Sequence, residues 1–155
     1  MTSSVRLMDQ TDRARWIALR EQLWPEYLAD HAGDVDEMLR TGATWGFIAE
    51  DAYGAALGFA EVAVRAYANG CEARPVPFLE GIWVDPAAQR RGVGRALVDH
   101  VSAFVAARGF TEICSDALTD NATSHAAHTG WGFVETERVV YFRKALRQRK
   151  PEGDG

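Results

Sequence analysis

Cysteine is scarce in this chain, with Cys71 and Cys114 the only two. They form no CxxC pair, and with the four histidines they show no metal-ligand spacing, so no metal is expected. Both read as buried free thiols in a reducing, cytoplasmic setting. No apolar run approaches the roughly 18 residues of a membrane span, so no membrane partner is expected. The opening stretch "MTSSVRLMDQ" lacks a basic segment followed by an apolar core, so no export signal is read there. Basic residues are outnumbered, 17 Lys+Arg against 22 Asp+Glu, for a net charge of −5. That balance argues against nucleic acid as a partner and is compatible with a cationic ligand.

What is present fits one folded unit. A length of 155 residues with 47% apolar and 25% charged content allows a sizeable core. Residues 1–146 read as a single domain and 147–155 as a polar, disordered tail. Val5 to Leu7 suggests a short strand. A helix is expected from about Thr11, ended by Pro25, and a second near Val35 to Arg40. "WGFIAE" and "AALGFAEVAVRAY" read as a hairpin around the "DAYG" turn, followed by a strand from Val76 to Val84. Val93, Leu97, Val101 and Phe104 recur at helical spacing, and Gly109 ends that helix. "TEICS" reads as a strand, Asp120 to Thr129 as a small helix, and the stretch from Gly132-Phe133 to Phe142 as a last long strand.

The hexad "QRRGVG", Gln89 to Gly94, sits where the long helix begins. A helix start offers free backbone N–H groups and partial positive charge, and glycine removes the Cβ that would hold a ligand away. Arg90, Arg91 and Arg95 add charge, and the whole suits a phosphate. No P-loop GxxxxGK[ST] and no third glycine of a dinucleotide fingerprint is present.

An apolar strand followed by Q/R-x-x-G-x-G/A, with the later "NATSHAAHTGWGF", resembles the coenzyme A motifs of the GNAT acetyltransferase superfamily. The resemblance covers nearly the whole chain. It implies an α/β (α+β) fold: a mixed, twisted sheet flanked by helices, with central strands splayed for coenzyme A. It implies acetyl-CoA as co-substrate, with Ile82, Trp83 and Val84 along the pantetheine arm. Arg90, Arg91, Gly92, Val93, Gly94 and Arg95 would then hold the pyrophosphate, with Gln89 and Asn121 as further contacts. Many members carry a tyrosine four residues before the glycine of Gly-Phe. This chain has His128 there, which is either a general acid for the departing thiolate or a helix-surface residue.

Glu80 lies within an apolar strand, and a buried carboxylate is costly unless paired or neutral. It either pairs with Arg65 or Arg74, or faces the acceptor and takes a proton from an ammonium. Gly81 beside it suggests a bulge. Asp116 follows a strand end, a common place for ligand groups, and is the second candidate catalytic acid. "QLWPEY", "AYANGC", "FLEGIWV" and "GFVETERVVYFRK" together resemble the bacterial aminoglycoside 6′-N-acetyltransferases, a subgroup of the same superfamily. That resemblance implies Trp24 and Tyr27 at the acceptor mouth, with Glu26 or His31 as substitutes for Tyr27. It also implies Tyr67 on a loop, and Glu80, Asp116 and Glu137 as an acidic lining for a polycationic amine. The expected reaction is direct attack in a ternary complex. The alternatives are a related enzyme acting on a polyamine or protein amine, and a non-catalytic acetyl-CoA-binding module. The last strand is apolar on both faces, which together with the resemblance implies a homodimer.

Overall fold

The computed structural model describes residues 3–26 and 28–149. Strands β1 (Ser4–Leu7), β2 (Thr44–Glu50), β3 (Ala56–Arg65) and β4 (Val76–Val84) form an antiparallel sheet in chain order. The β2–β3 turn is closed by Asp51, whose carboxylate accepts from the N–H groups of Tyr53 and Ala55, while Gly54 supplies the left-handed turn at φ 80°.

Four helices complete the fold: α1 (Arg13–Leu23), α2 (His31–Thr41), α3 (Val93–Ala106) and α4 (Ala122–Gly130). α1 stops before Pro25, and α2 starts where the Asp30 carboxylate accepts from Gly33 N–H. Strand alternation sends Phe47, Ala49, Ala60 and Val62 to one face, where they meet Val93, Leu97, Val101 and Val105 of α3. Ile48 and Phe59 face the other way, onto Trp16 and Leu19 of α1 and Val35 of α2. The sheet is thus sandwiched between α1–α2 and α3, the layered α/β arrangement expected.

Three local expectations are corrected. The segment 111–115 makes a single parallel bridge, Phe78 to Cys114, in place of a full strand. Leu79 N–H donates to Cys114 C=O at 2.8 Å, and beyond Leu79 the outer edge of β4 carries no backbone pairing among the described residues. The long last strand is not formed: residues 134–149 are irregular and exposed. Alternating apolar residues mark a strand only when a partner strand lies alongside, and none lies there among the described residues. Cys71 and Cys114 are not free thiols but form a disulfide, with Cα atoms 6.4 Å apart across 43 residues of sequence. The loop after β3 folds back to bring them together in a small cluster with Ala68, Val76 and Phe78, a meeting that cysteine spacing does not signal. Tyr27 and residues 150–155 of the tail lie outside the described residues.

Candidate active site

The bulge expected beside Glu80 is present. Gly81 pairs with Glu61 of β3 and Leu79 with Val62, so Glu80 is the extra residue on β4. Its carboxylate is 26% exposed, half-buried rather than buried, and lies in a cleft. Arg65 grips it by both oxygens, Nε at 2.9 Å and a terminal nitrogen at 2.7 Å. The pairing alternative and the cleft-facing alternative therefore hold together. Those Glu80 hydrogen bonds are the main cause that pushes the Arg65 pKa up, and the nearby charge of Asp116 adds to it. Arg65 also lies 3.6 Å over the Phe78 ring.

Gly81 has a second task. A Cβ there would stand 2.6 Å from the Trp24 ring, so only glycine lets Trp24 lie against β4 beside Glu80. Beneath Trp24 is a sealed polar network. Glu61, 1% exposed, accepts from Trp16 Nε1 at 2.7 Å and from one Arg20 nitrogen at 2.7 and 2.6 Å. Arg20 Nε donates to His31 Nδ1, so His31 carries its proton on Nε2 and donates to Trp24 C=O at 2.8 Å. Arg20 also lies 4.8 Å over the Trp24 ring. Sequence reasoning missed this network, although the acid inside "GFAEVAV" was the same signal that singled out Glu80.

The cleft has a volume of about 1880 Å³, well above the roughly 300–1,000 Å³ of a site for one small molecule, so there is room for two substrates. One end is basic. Gly92 caps α3 in the left-handed conformation at φ 78°, with nothing within 4 Å of where a Cβ would stand. The first capping bond of α3 is Ala96 N–H to Gly92 C=O, leaving the N–H groups of Val93, Gly94 and Arg95 unspent by the helix. Gln89, Arg90 and Arg95 also line this end, with Arg90 held at the unusual φ of 62°. Gly94 is glycine for another reason than ligand approach: its missing Cβ makes room for Trp131, 2.8 Å away. Arg91 is exposed and outside the lining. Ile82 and Val84 line the wall, whereas the Trp83 side chain packs on the α1–α2 core, leaving only its backbone on the β4 edge.

Glu80, Asp116 and Glu137 line the same cavity together with Trp24, Tyr67 and Arg65, so the structure brings the five expected acceptor residues to one cavity. Arg74 covers the Tyr67 ring at 5.6 Å. Asn121 lines the cleft too, although its side-chain oxygen already caps α4 by accepting from Ser124 N–H at 3.0 Å. His128 is half-buried between the rings of Trp131 and Phe133, and its Nε2 lies 2.7 Å from Ser115 Oγ. Ser115 was marked in the sequence only as the neighbour of Asp116. A basic helix start that can hold phosphate, an open strand edge and a group of carboxylates are therefore joined in one cavity.

Known proteins share this arrangement. Residues 11–133 match the Acetyltransferase (GNAT) family. The chain is 42% identical over 142 residues to an aminoglycoside N(6′)-acetyltransferase type 1 of Salmonella enteritidis, covering 90% of this chain and 97% of that one. It is 43% identical to a relative of the same name from Stenotrophomonas maltophilia, covering 92% and 94%. Among solved structures, AAC(6′)-Iy in complex with the bisubstrate analogue CoA-S-monomethyl-acetylneamine superposes with a TM-score of 0.87 at 39% identity, covering 94% of this chain and 100% of that one. The aminoglycoside 6′-N-acetyltransferase AAC(6′)-Ih from Acinetobacter baumannii gives 0.86 at 35%, covering 94% and 99%.

Proposed function

Because the chain belongs to the acetyltransferase (GNAT) family, we propose that it transfers the acetyl group of acetyl-CoA to the 6′-amine of aminoglycosides by direct attack in a ternary complex. The observation that carries this reading is one cavity lined both by the α3 start, with its unspent N–H groups, and by Trp24, Glu80 and Asp116. The first suits a polyanionic donor and the carboxylates suit a polycationic acceptor.

The residues present fit coenzyme A. The unspent N–H groups of Val93, Gly94 and Arg95, with the open space at Gly92, suit the pyrophosphate. Gln89, Arg90 and Asn121 flank it, and the free β4 edge at Ile82, Trp83 and Val84 suits an extended arm with amide groups. When bound, acetyl-CoA supplies the acetyl group activated as a thioester. Trp24 and Tyr67 border the acceptor, and Glu80 and Glu137 attract its ammonium groups. Arg65 holds both oxygens of Glu80, which favours Asp116 as the group that takes the proton from the attacking ammonium, with Glu80 beside it.

The reading extends to a cytoplasmic enzyme without metal, nucleic-acid or membrane partners; no helix among the described residues is long and apolar enough to cross a membrane. It extends also to a homodimer. Val134, Val140, Tyr141 and Phe142 are 78–94% exposed, a row of apolar side chains that a second copy would cover. Light scattering at micromolar concentration is expected to report twice the chain mass.

The function is tested by incubating purified protein and acetyl-CoA with an aminoglycoside bearing a 6′-amine and with its 6′-hydroxyl analogue. Mass spectrometry and NMR are expected to show acetylation at the 6′ nitrogen of the first and none of the second. Transfer to another amine would keep the acetyltransferase and refute the acceptor.

A further inference from the structure

Ser115 is the first residue past the Phe78–Cys114 bridge, at the point where its segment parts from β4. It lines the same cleft as Ile82 and Val93. His128 approaches from α4, with Nε2 2.7 Å from Ser115 Oγ and Nδ1 2.7 Å from the carbonyl of Ser124. A carbonyl only accepts, so Nδ1 carries a proton. In the neutral ring Nε2 is then bare and accepts from the Ser115 hydroxyl. In the charged ring Nε2–H donates to Oγ, and the hydroxyl hydrogen is released toward the cleft. Trp131 and Phe133, with ring centroids 5.3 and 5.2 Å away, hold the imidazole in place.

We infer that Ser115 is a catalytic residue that delivers the proton to the departing sulphur, and that His128 is the positioning residue that resupplies it. The inference rests on the acetyl-transfer reading and adds a group that reading leaves unused. The balance is as follows. Asp116 takes one proton from the ammonium and passes it to solvent; the amide N–C bond then forms as a second N–H bond breaks, its proton again going to Asp116, while the C–S bond breaks and its electron pair stays on sulphur. The Ser115 O–H bond breaks as S–H forms. Oγ regains a hydrogen from Nε2–H of the charged His128, which is left neutral with its proton on Nδ1. Solvent returns a proton to Nε2 before the next turnover.

The tautomer is tested without turnover. Nitrogen NMR of histidine-labelled protein, with the signal assigned by its loss in His128→Gln, is expected to show neutral His128 as the Nδ1–H form. This sets it apart from His31 and His125, whose Nε2 atoms face carbonyls and carry the proton. Ser115→Ala is expected to shift the His128 Nε2 signal. An Nε2–H tautomer, or a signal indifferent to Ser115→Ala, would overturn the relay. In turnover, Ser115→Ala is expected to lower kcat by about 10²-fold, the low end for general catalysis, with both KM values little changed. Ser115→Thr is expected to restore most of it. His128→Gln should cost a similar factor, and the double variant no more than Ser115→Ala, because the two act as a unit. Near-normal kcat for Ser115→Ala in an active enzyme also overturns the inference. A wild-type protein that acetylates no aminoglycoside refutes the acceptor reading instead, and the relay is then decided by the tautomer.

Discussion

Glu61 and Glu80 stand on neighbouring strands, one register step apart, and do opposite things. Glu61 is closed off beneath α1, with Trp16 and Arg20 on its oxygens. Glu80 is lifted by the bulge into the cleft, and its partner Arg65 is 44% exposed. The first pair is assembled once, on folding. The second is wet enough to exchange an internal partner for a cationic ligand. Burial, more than the presence of a carboxylate in an apolar strand, therefore separates an acid that builds the wall from one left open to the cleft.

The largest expected effect tests the closed side. Glu61→Ala strips Arg20 of its buried partner, leaving it only the exposed Asp34 and leaving Trp16 Nε1 without an acceptor, and is expected to destabilise the fold by about 3–5 kcal/mol, measured by urea unfolding. An equal loss for Glu80→Ala would erase the contrast. Next, Glu80→Gln is expected to lower kcat/KM for the acceptor by about 10²-fold. Unfolding free energy should change by about 1 kcal/mol or less, as befits a partly exposed pair. Normal kinetics with a large stability loss would make Glu80 a second Glu61. Third, Gly81→Ala drives a methyl into the Trp24 ring and is expected to cost roughly 1–3 kcal/mol, most of it recovered in the double variant with Trp24→Ala. Additive losses would show that the two do not share a wall.

The smallest effect concerns acid. Asp12 and Glu50 are held below their ordinary values of 3.8 and 4.5, chiefly by hydrogen bonds from Arg6. The folded chain then binds fewer protons than the unfolded one, so their stabilisation is complete above the ordinary values and is lost as pH falls through the lowered ones. Arg6→Gln is expected to flatten the acid limb of stability below about pH 4.5, read by thermal melts across pH.

Periodicity was enough to place the hairpin and the α3 core face, because each depends on neighbours within a few residues, whereas α2 begins at His31, four residues before the expected Val35. The hexad was legible for the same reason: a helix start and its glycines are local. Arg65 over Phe78, Trp131 against Gly94, and Ser115 beside His128 join residues far apart in the chain and leave no spacing signal. The last strand shows the converse, since its alternation is plain in the sequence while no partner strand lies beside it among the described residues.

Gly81 makes room for Trp24, and this imposes an order on change. A side chain at Gly81 is hard to accept while the indole is in place, whereas a smaller residue at position 24 vacates the space without a clash. A lineage drifting toward bulkier acceptors passes more easily through Trp24 first, and only afterwards is Gly81 released to vary. The wall of the mouth is in this sense a one-way gate, and variants with an altered acceptor range are expected to accumulate changes on the indole side of it.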